Sequence, residues 1–516
     1  MMQLDSVSQA ARWLRGRVTG ELYADSRQVK KGDGFVAWPG SLHDGRKFVV
    51  SALGSGATAC LVERDGSQVF DFGLTNPVET QSVASFTKLR AATGPIAAAF
   101  YHDPSKQIRV VAVTGTNGKT TTAWWFSHLI AKLPVPLGAL CGHIGTLGAG
   151  VVGGPMAQLQ PTGLTTPDPV LLQKKLRQFA DAGVACCVLE ASSIGLEEKR
   201  LSGTRIQLAI FTNFTHDHLD YHGSMKAYWE AKKTLFLWPG LQSAVINIDD
   251  AKGKELVETL RASAAMSVSE IWTVSCVEPA RLQAADIRSH LTGLSFTVIE
   301  GGQKHRVVTR MIGLYNVSNL LCVIAAARAL GVGLDECLAI CADLPPAPGR
   351  MESYGGGPVP LVVVDYAHTP DALQQVLSAL KEIAKVRAGR VICVFGCGGD
   401  RDAGKRPIMG QVAEKLADLI VVTTDNPRSE DPAKISDAIL AGIQKHQIVQ
   451  VEPDRQLAIT NAVLQATVSD VVLVAGKGHE QYQEAAGLRK PFSDQYEVKA
   501  ALLRREYHLP LGKVSR

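Results

Sequence analysis

The stretch Arg109-Val-Val-Ala-Val-Thr-Gly-Thr-Asn-Gly-Lys-Thr-Thr-Thr122 decides the fold of this 516-residue chain. An apolar, β-branched run leads into a short glycine loop, and then come a lysine, three threonines and a helix-like segment over Ala123–Lys132. Strand, phosphate loop and helix in that order make an α/β nucleotide-binding unit. Gly115 and Gly118 let backbone amides turn inward and cradle phosphate oxygens. Lys119 offers a cation to the outer phosphates, Thr120 offers a hydroxyl to Mg²⁺, and the helix N-terminus adds partial positive charge beneath them. The strict pattern G-x-x-x-x-G-K-[ST] would place glycine at 113, where this chain has Val113, so the loop is a shortened relative. A plain glycine turn with a solvated lysine is disfavoured, because strand and helix fall where phosphate binding needs them.

Working outward, the length suggests about three domains of ~150 residues each. Hydrophobic residues make up 46% of the chain and charged residues 20%, enough for several cores. A net charge of +5 with no dense basic block gives no argument for nucleic acid and suits anionic small molecules at local sites. The ten cysteines are scattered and none forms C-x-x-C, which reads as buried thiols in a reducing compartment. The first residues lack an apolar signal core, and no run approaches the ~18 apolar residues of a membrane span. The expectation is a soluble cytoplasmic protein.

Residues 1–104 hold strand-like pieces at Gly34–Trp38 and Ala57–Val62 and no catalytic cluster. Residues 105–348 alternate apolar runs with helix-like segments, and Val184–Leu189, Leu208–Thr212 and Ser243–Ile248 read as buried parallel strands. The segment Leu344-Pro-Pro-Ala-Pro-Gly349 reads as a linker. From 349 to 516 the alternation begins afresh, with strands expected at Leu361–Asp365, Val391–Phe395, Leu419–Thr424 and Val471–Ala475. Each of these ends in a polar loop: 366–370, 396–402, 425–428 and 476–480. Ligands of open α/β sheets bind at such strand ends, which suggests a second substrate site. The fold class is therefore α/β in three domains, with a phosphate-loop ATPase unit in the centre and a Rossmann-like unit at the end.

Glu190 closes a buried strand, where a carboxylate suits an oxygen-loving cation. His216-Asp-His-Leu-Asp-Tyr-His222 follows the next strand and can reach the same crevice. Its three histidines hint at zinc, although no fourth ligand stands at a familiar spacing. A loop that only packs and caps locally is the alternative.

Six ordered motifs resemble the Mur ligase family across nearly the whole chain. They are Gly115-Thr-Asn-Gly-Lys-Thr-Thr121, Asn213-x-x-x-Asp217-His218, Tyr228-Trp-Glu-Ala-Lys232, Asn316-x-x-Asn319, Gly349-Arg-Met-Glu352 and Asp365-Tyr-Ala-His368. The resemblance implies a cytoplasmic, ATP-dependent ligase of peptidoglycan synthesis acting on small molecules, expected as a monomer. Its implied reaction adds meso-2,6-diaminopimelate to UDP-N-acetylmuramoyl-L-alanyl-D-glutamate through an acyl phosphate. It implies a UDP-substrate domain, then the ATP domain, then the amino-acid domain.

The resemblance also implies roles by position. ATP would meet Gly115, Thr116, Asn117, Gly118, Lys119, Thr120, Thr121, Asn316, Arg350 and Asp365. Thr120 and Glu190 would hold one Mg²⁺, and Glu190, His218 and Lys232 a second, with Lys232 carbamylated to N6-carboxylysine and its neighbour Lys233 not involved. Lys119, Glu190, His218 and Lys232 form the implied catalytic set. The UDP-substrate would meet Ser26, Ser41, Leu42, His43, Thr165, Thr166, Ser192, Glu198 and Arg200, with Ile194 and Glu198 standing where the family often has histidine and glutamine. Diaminopimelate would meet Arg401, Asp425, Asn426, Pro427, Arg428, Gly476 and Glu480. Arg428 can pair in a two-pronged way with the distal carboxylate, and Glu480 can accept from the distal ammonium. A lysine-adding relative is disfavoured by Arg428, and a phosphotransferase or ATP switch by the third domain.

Overall fold

The computed structural model describes residues 1–40, 43–73, 81–154, 158–262, 268–290 and 293–507. Three larger sheets follow one another along the chain. The first has five parallel strands, in spatial order Met2–Leu4, Val83–Phe86, Ala59–Glu63, Gly34–Ala37 and Leu22–Tyr23. Alternate residues enter opposite cores: Leu61 and Ala84 face one cluster, Cys60 and Val83 the other.

The second sheet has eleven strands. Its parallel heart runs Glu270–Ser275, Ser243–Asn247, Leu208–Phe211, Arg109–Thr114, Cys186–Glu190, Cys141–Gly145. Val111 and Val113 pack into one core and Val110 and Ala112 into the other. Burial on both faces explains why this strand reads as a continuous apolar run. Hydrogen bonding to strands on both sides puts the phosphate loop in mid-sheet, so the loops after Glu190 and after Phe211 open into the same crevice.

The third sheet runs Glu352–Gly355, Leu361–Asp365, Val471–Ala475, Val391–Phe395, Leu419–Val422, Val449–Val451, parallel except for its first strand. The four polar-loop strands are adjacent, which gathers the loops along one edge. A small hairpin, Tyr482–Ala485 with Leu488–Pro491, follows the last loop.

Several expected boundaries shift. The helix after the phosphate loop spans Lys119–Lys132 rather than starting at Ala123, because Gly118 in the left-handed region (φ 83°) caps it and the threonines form its first turn. The strands expected at 184–189, 208–212 and 243–248 run Cys186–Glu190, Leu208–Phe211 and Ser243–Asn247. Those expected at 34–38, 57–62 and 419–424 run Gly34–Ala37, Ala59–Glu63 and Leu419–Val422. Among the described residues no helix is long and apolar enough to cross a membrane.

Candidate active site

The phosphate loop is held both by the strand end beside it and by its own lysine. Asn213 Oδ1 accepts from the Asn117 amide at 2.8 Å, and Thr212 donates to the Asn117 carbonyl at 2.6 Å. Lys119 bends back and donates to the carbonyls of Gly115 (2.9 Å) and Thr116 (2.8 Å). Desolvation pulls its ammonium below the usual lysine range, and the nearby Glu190 and Asp217 carboxylates oppose that shift. Gly115 has φ 147°, and a Cβ there would lie 1.9 Å from Thr212 Oγ1, so only glycine lets the loop pass this strand end. Thr121 lies buried in the first helical turn.

Thr120 Oγ1 donates to Glu190 Oε2 at 2.9 Å. The other Glu190 oxygen accepts from the Thr146 amide at 2.8 Å, and Thr146 Oγ1 lies 3.0 Å from Thr165 Oγ1. Arg350 Nη2, from the linker into the third sheet, donates to Thr120 Oγ1 at 3.3 Å while its guanidinium covers the Tyr366 ring at 4.2 Å. Thus Lys119, Thr120, Glu190, Thr165 and Arg350, distant in sequence, surround one crevice.

Lys232 reaches the same place. It is 1% exposed and donates to the Gly115 carbonyl at 2.7 Å, the acceptor it shares with Lys119. Its ammonium sits 4.5 Å above the Tyr228 ring, and Tyr228 Oη lies 3.1 Å from Thr116 Oγ1. Desolvation, with the adjacent Lys119 charge, pushes Lys232 well below the usual lysine range. Lys233 is half-buried on the next helix position. The His218 ring packs 5.8 Å from Tyr228, and desolvation pulls its imidazole down to about 4 against the pull of Asp217, which leaves a neutral ring with a lone pair to offer. Of the three histidines of the 216–222 loop, His216 faces Asp402 at 3.8 Å, while His218, which faces Asp217 at 3.4 Å, and His222 both pack on Tyr228. Among the described residues no three His, Cys, Asp or Glu side chains form a ready metal cage. The Thr120 hydroxyl and the buried Glu190 carboxylate are the oxygen donors that meet beside the phosphate loop. That set fits a hard divalent cation.

Asn316 and Asp365 stand behind this crevice. Asn316 donates to the Ile312 carbonyl at 2.7 Å and accepts from Asn319 at 3.0 Å. One Asp365 oxygen caps the Met351 amide at 2.7 Å, and burial raises its carboxyl above the usual range.

On the other side of Glu190, Thr166 Oγ1 donates to the Glu190 carbonyl at 2.7 Å and lies 3.0 Å from Ser192 Oγ. Arg200 donates to the Thr166 carbonyl at 2.9 Å and pairs with Glu198 at 2.5 Å. Arg90 of the first unit faces Glu198 at 3.8 Å. Ser26 and His43 are not bonded to this group; Ser26 opens a short turn behind Asp25, and His43 is exposed. Ser41 and Leu42 lie outside the described residues.

The loops of the third sheet form a second cluster. Asn426 Nδ2 donates to Glu480 Oε2 at 2.7 Å, and Arg428 Nη1 donates to the Gly399 carbonyl at 2.6 Å. Gly476 (φ 115°) packs so close that a Cβ would lie 2.3 Å from Asp425 Oδ2. Pro427 is buried beneath them, and Arg401 is exposed at the loop tip. Gly349 joins the two clusters, since a Cβ there would lie 2.1 Å from the His479 amide nitrogen.

Sequence reading passed over Thr146, Asp217, Asp371 and Lys477 as site residues. Asp217 stood inside a quoted motif, and Lys477 inside the 476–480 loop. Thr146 and Asp371 carried no local signal, since only tertiary packing brings them to Glu190 and to Asn117.

The family pattern described as Mur ligase middle domain matches residues 113–327, and that described as Mur ligase, glutamate ligase domain matches residues 349–478. The chain belongs to the Mur ligase family, whose members are ATP-dependent, amide-forming ligases. Among its relatives, a protein of Acidovorax sp. (strain JS42) described as UDP-N-acetylmuramoyl-L-alanyl-D-glutamate--2,6-diaminopimelate ligase is 53% identical over 505 residues, which is 97% of this chain and 98% of that one. A protein of the same description from Janthinobacterium sp. (strain Marseille) is 45% identical over 497 residues, 95% and 96% of the two chains. A solved structure of a ligase so described superimposes with TM-score 0.64 at 36% identity, covering 94% of this chain and 95% of that one.

Proposed function

We propose that this ligase adds meso-2,6-diaminopimelate to UDP-N-acetylmuramoyl-L-alanyl-D-glutamate in cytoplasmic peptidoglycan synthesis. In this reading residues 1–104 hold the uridine nucleotide, 105–348 bind ATP, and 349–516 bind the amino acid. One observation carries it: Arg350, from the linker into the third sheet, donates to Thr120, the same hydroxyl that donates to Glu190 in the phosphate-loop crevice, which brings a third-unit side chain to the nucleotide site.

The D-glutamyl γ-carboxylate attacks the γ-phosphorus of ATP and expels ADP, leaving an acyl phosphate. An unprotonated amine of diaminopimelate attacks the acyl carbon, phosphate leaves with the bonding pair, and the amine loses a proton as the amide forms. The difficulty is charge, since a carboxylate must approach a polyphosphate. Lys119 can leave its loop carbonyls for the phosphates, and Arg350 lies beside them. Mg²⁺ held by Thr120 and Glu190, and by Glu190, His218 and carbamylated Lys232, would supply further positive charge at the phosphates. Burial of Lys232 without a carboxylate in ion-pair reach among the described residues supports that modification, which replaces a costly buried cation with an anionic ligand.

Arg428 and Glu480 would read the distal carboxylate and ammonium of diaminopimelate, a pairing lysine cannot complete. Oxygen-18 in the D-glutamyl γ-carboxylate tests the route. One labelled oxygen should appear in the released phosphate; unlabelled phosphate alongside amide product would contradict it.

A further inference from the structure

We infer that Lys477 is a positioning residue for the amino-acid substrate, fixing the Glu480 carboxylate that receives the substrate's distal ammonium. This rests on the reading of the 425–428 and 476–480 loops as the amino-acid site. Lys477 is fully buried, an unusual place for a lysine, and must be held by partners. Its Nζ donates to Asn426 Oδ1 at 2.9 Å and to Glu480 Oε2 at 3.0 Å, while Asn426 Nδ2 donates to the same Glu480 oxygen at 2.7 Å. The three side chains close a triangle across two loops. Asn426 Oδ1 also accepts from the Glu484 amide at 2.9 Å, which anchors the triangle to the hairpin.

The consequence for Glu480 is geometric. Oε2 is taken by two donors, and Oε1 accepts no hydrogen bond from the described residues. The carboxylate cannot swing to present both oxygens, so it offers one fixed acceptor to an ammonium. The loops beneath are clamped as well. Arg455, paired with Asp494 at 2.7 Å with neither side chain exposed, donates to the Ala475 carbonyl at 2.9 Å and the Thr424 carbonyl at 3.3 Å, each the residue just before one of the two loops. With its backbone held from below, the triangle is free to set side-chain direction, and Lys477 contributes two of its three bonds.

The test is initial-rate kinetics of Lys477→Met, Lys477→Gln, Glu480→Gln and the double variant Lys477→Met/Glu480→Gln, each with melting recorded. Lys477→Met should raise the KM for diaminopimelate about tenfold to a hundredfold, the loss expected for hydrogen bonds to a charged group. The KM for ATP should stay within about twofold, and kcat should fall less than the KM rises. Lys477→Gln, which keeps one donor, should fall between and still reads the effect if the methionine variant does not fold. The double variant should match Glu480→Gln alone, because Lys477 acts through Glu480. Additive effects, an unchanged diaminopimelate KM, or equal rises in the KM of every substrate would overturn the inference. Wild-type enzyme that turns over no diaminopimelate would overturn the substrate reading itself, and this inference with it.

Discussion

Lys232 shows how a residue's neighbours define its chemistry. The sequence placed two lysines side by side, and only burial separates them: Lys232 is 1% exposed beside Gly115 and Tyr228, while Lys233 keeps contact with solvent. Lys232→Ala should lower turnover by about a hundredfold to a thousandfold, on the order of losing one preorganised electrostatic group, and Lys233→Ala should leave it within about twofold. Rates measured at saturating ATP and Mg²⁺ decide this, and the reverse ranking would remove Lys232 from the site. Glu190 reaches the phosphate loop because it closes a neighbouring parallel strand, whereas Lys232 comes from a helix and Arg350 from the linker. Thr146 was not legible, since nothing local marks the residue that donates its amide to Glu190. The Lys477 partners were also hidden, because a lysine inside a glycine-rich loop looks the same whether solvated or buried.

The phosphate loop and its flanking strands were legible as elements because both faces of the sheet are buried, which leaves apolar runs ending in glycine. The outer strands Leu282–His290, Gly293–Glu300 and Gln303–Thr309 were not, since they alternate polar and apolar residues and bear no motif. Within the loop, Gly118→Ala should lower the melting temperature of the central unit by about 2–8 °C through left-handed strain alone. Its Cβ would also meet Asn319 Oδ1 at 2.3 Å, so ATP affinity should drop as well. Calorimetry with and without ATP checks both, and an unchanged melt would deny the loop its strained geometry.

The strand Cys141–Gly145 carries a pH dependence. Burial holds the fully enclosed His143 imidazole down to about 3, from an ordinary 6.5. Between those values the unfolded chain takes a proton that the folded chain refuses. The stability is therefore whole above pH 6.5 and is lost as pH falls toward 3, at about 1.4 kcal/mol per pH unit for one such group. Urea midpoints of the central unit should fall less steeply with acid in His143→Leu than in wild type; parallel slopes would show that His143 is not the group.

Polar bridges join the three units, and some of them reach the phosphate loop. Asn117 of the phosphate loop donates to Asp371 Oδ2 at 3.0 Å, at the start of the first helix of the third unit. Lys174 reaches Glu21 at 3.7 Å between the first and second units. Asp371→Ala should lower kcat about tenfold by removing the hydrogen bond between the phosphate loop and the third unit, with the diaminopimelate KM within about threefold. Kinetics that show a KM change alone would place Asp371 in substrate binding instead. The order of units was legible from where the alternation of strands and helices restarts. Their mutual docking was not, because it joins residues far apart in the chain, such as Val170 in the core of the first unit and Ile312 and Tyr315 against the core of the third.

The most direct test combines phosphate release with product mass, using ATP, Mg²⁺ and UDP-N-acetylmuramoyl-L-alanyl-D-glutamate with either meso-diaminopimelate or L-lysine. Release coupled to amide product with diaminopimelate, and little with lysine, is the predicted result. Preference for lysine would contradict the roles given to Arg428 and Glu480, and release that depends on neither amino acid would contradict ligation by this chain.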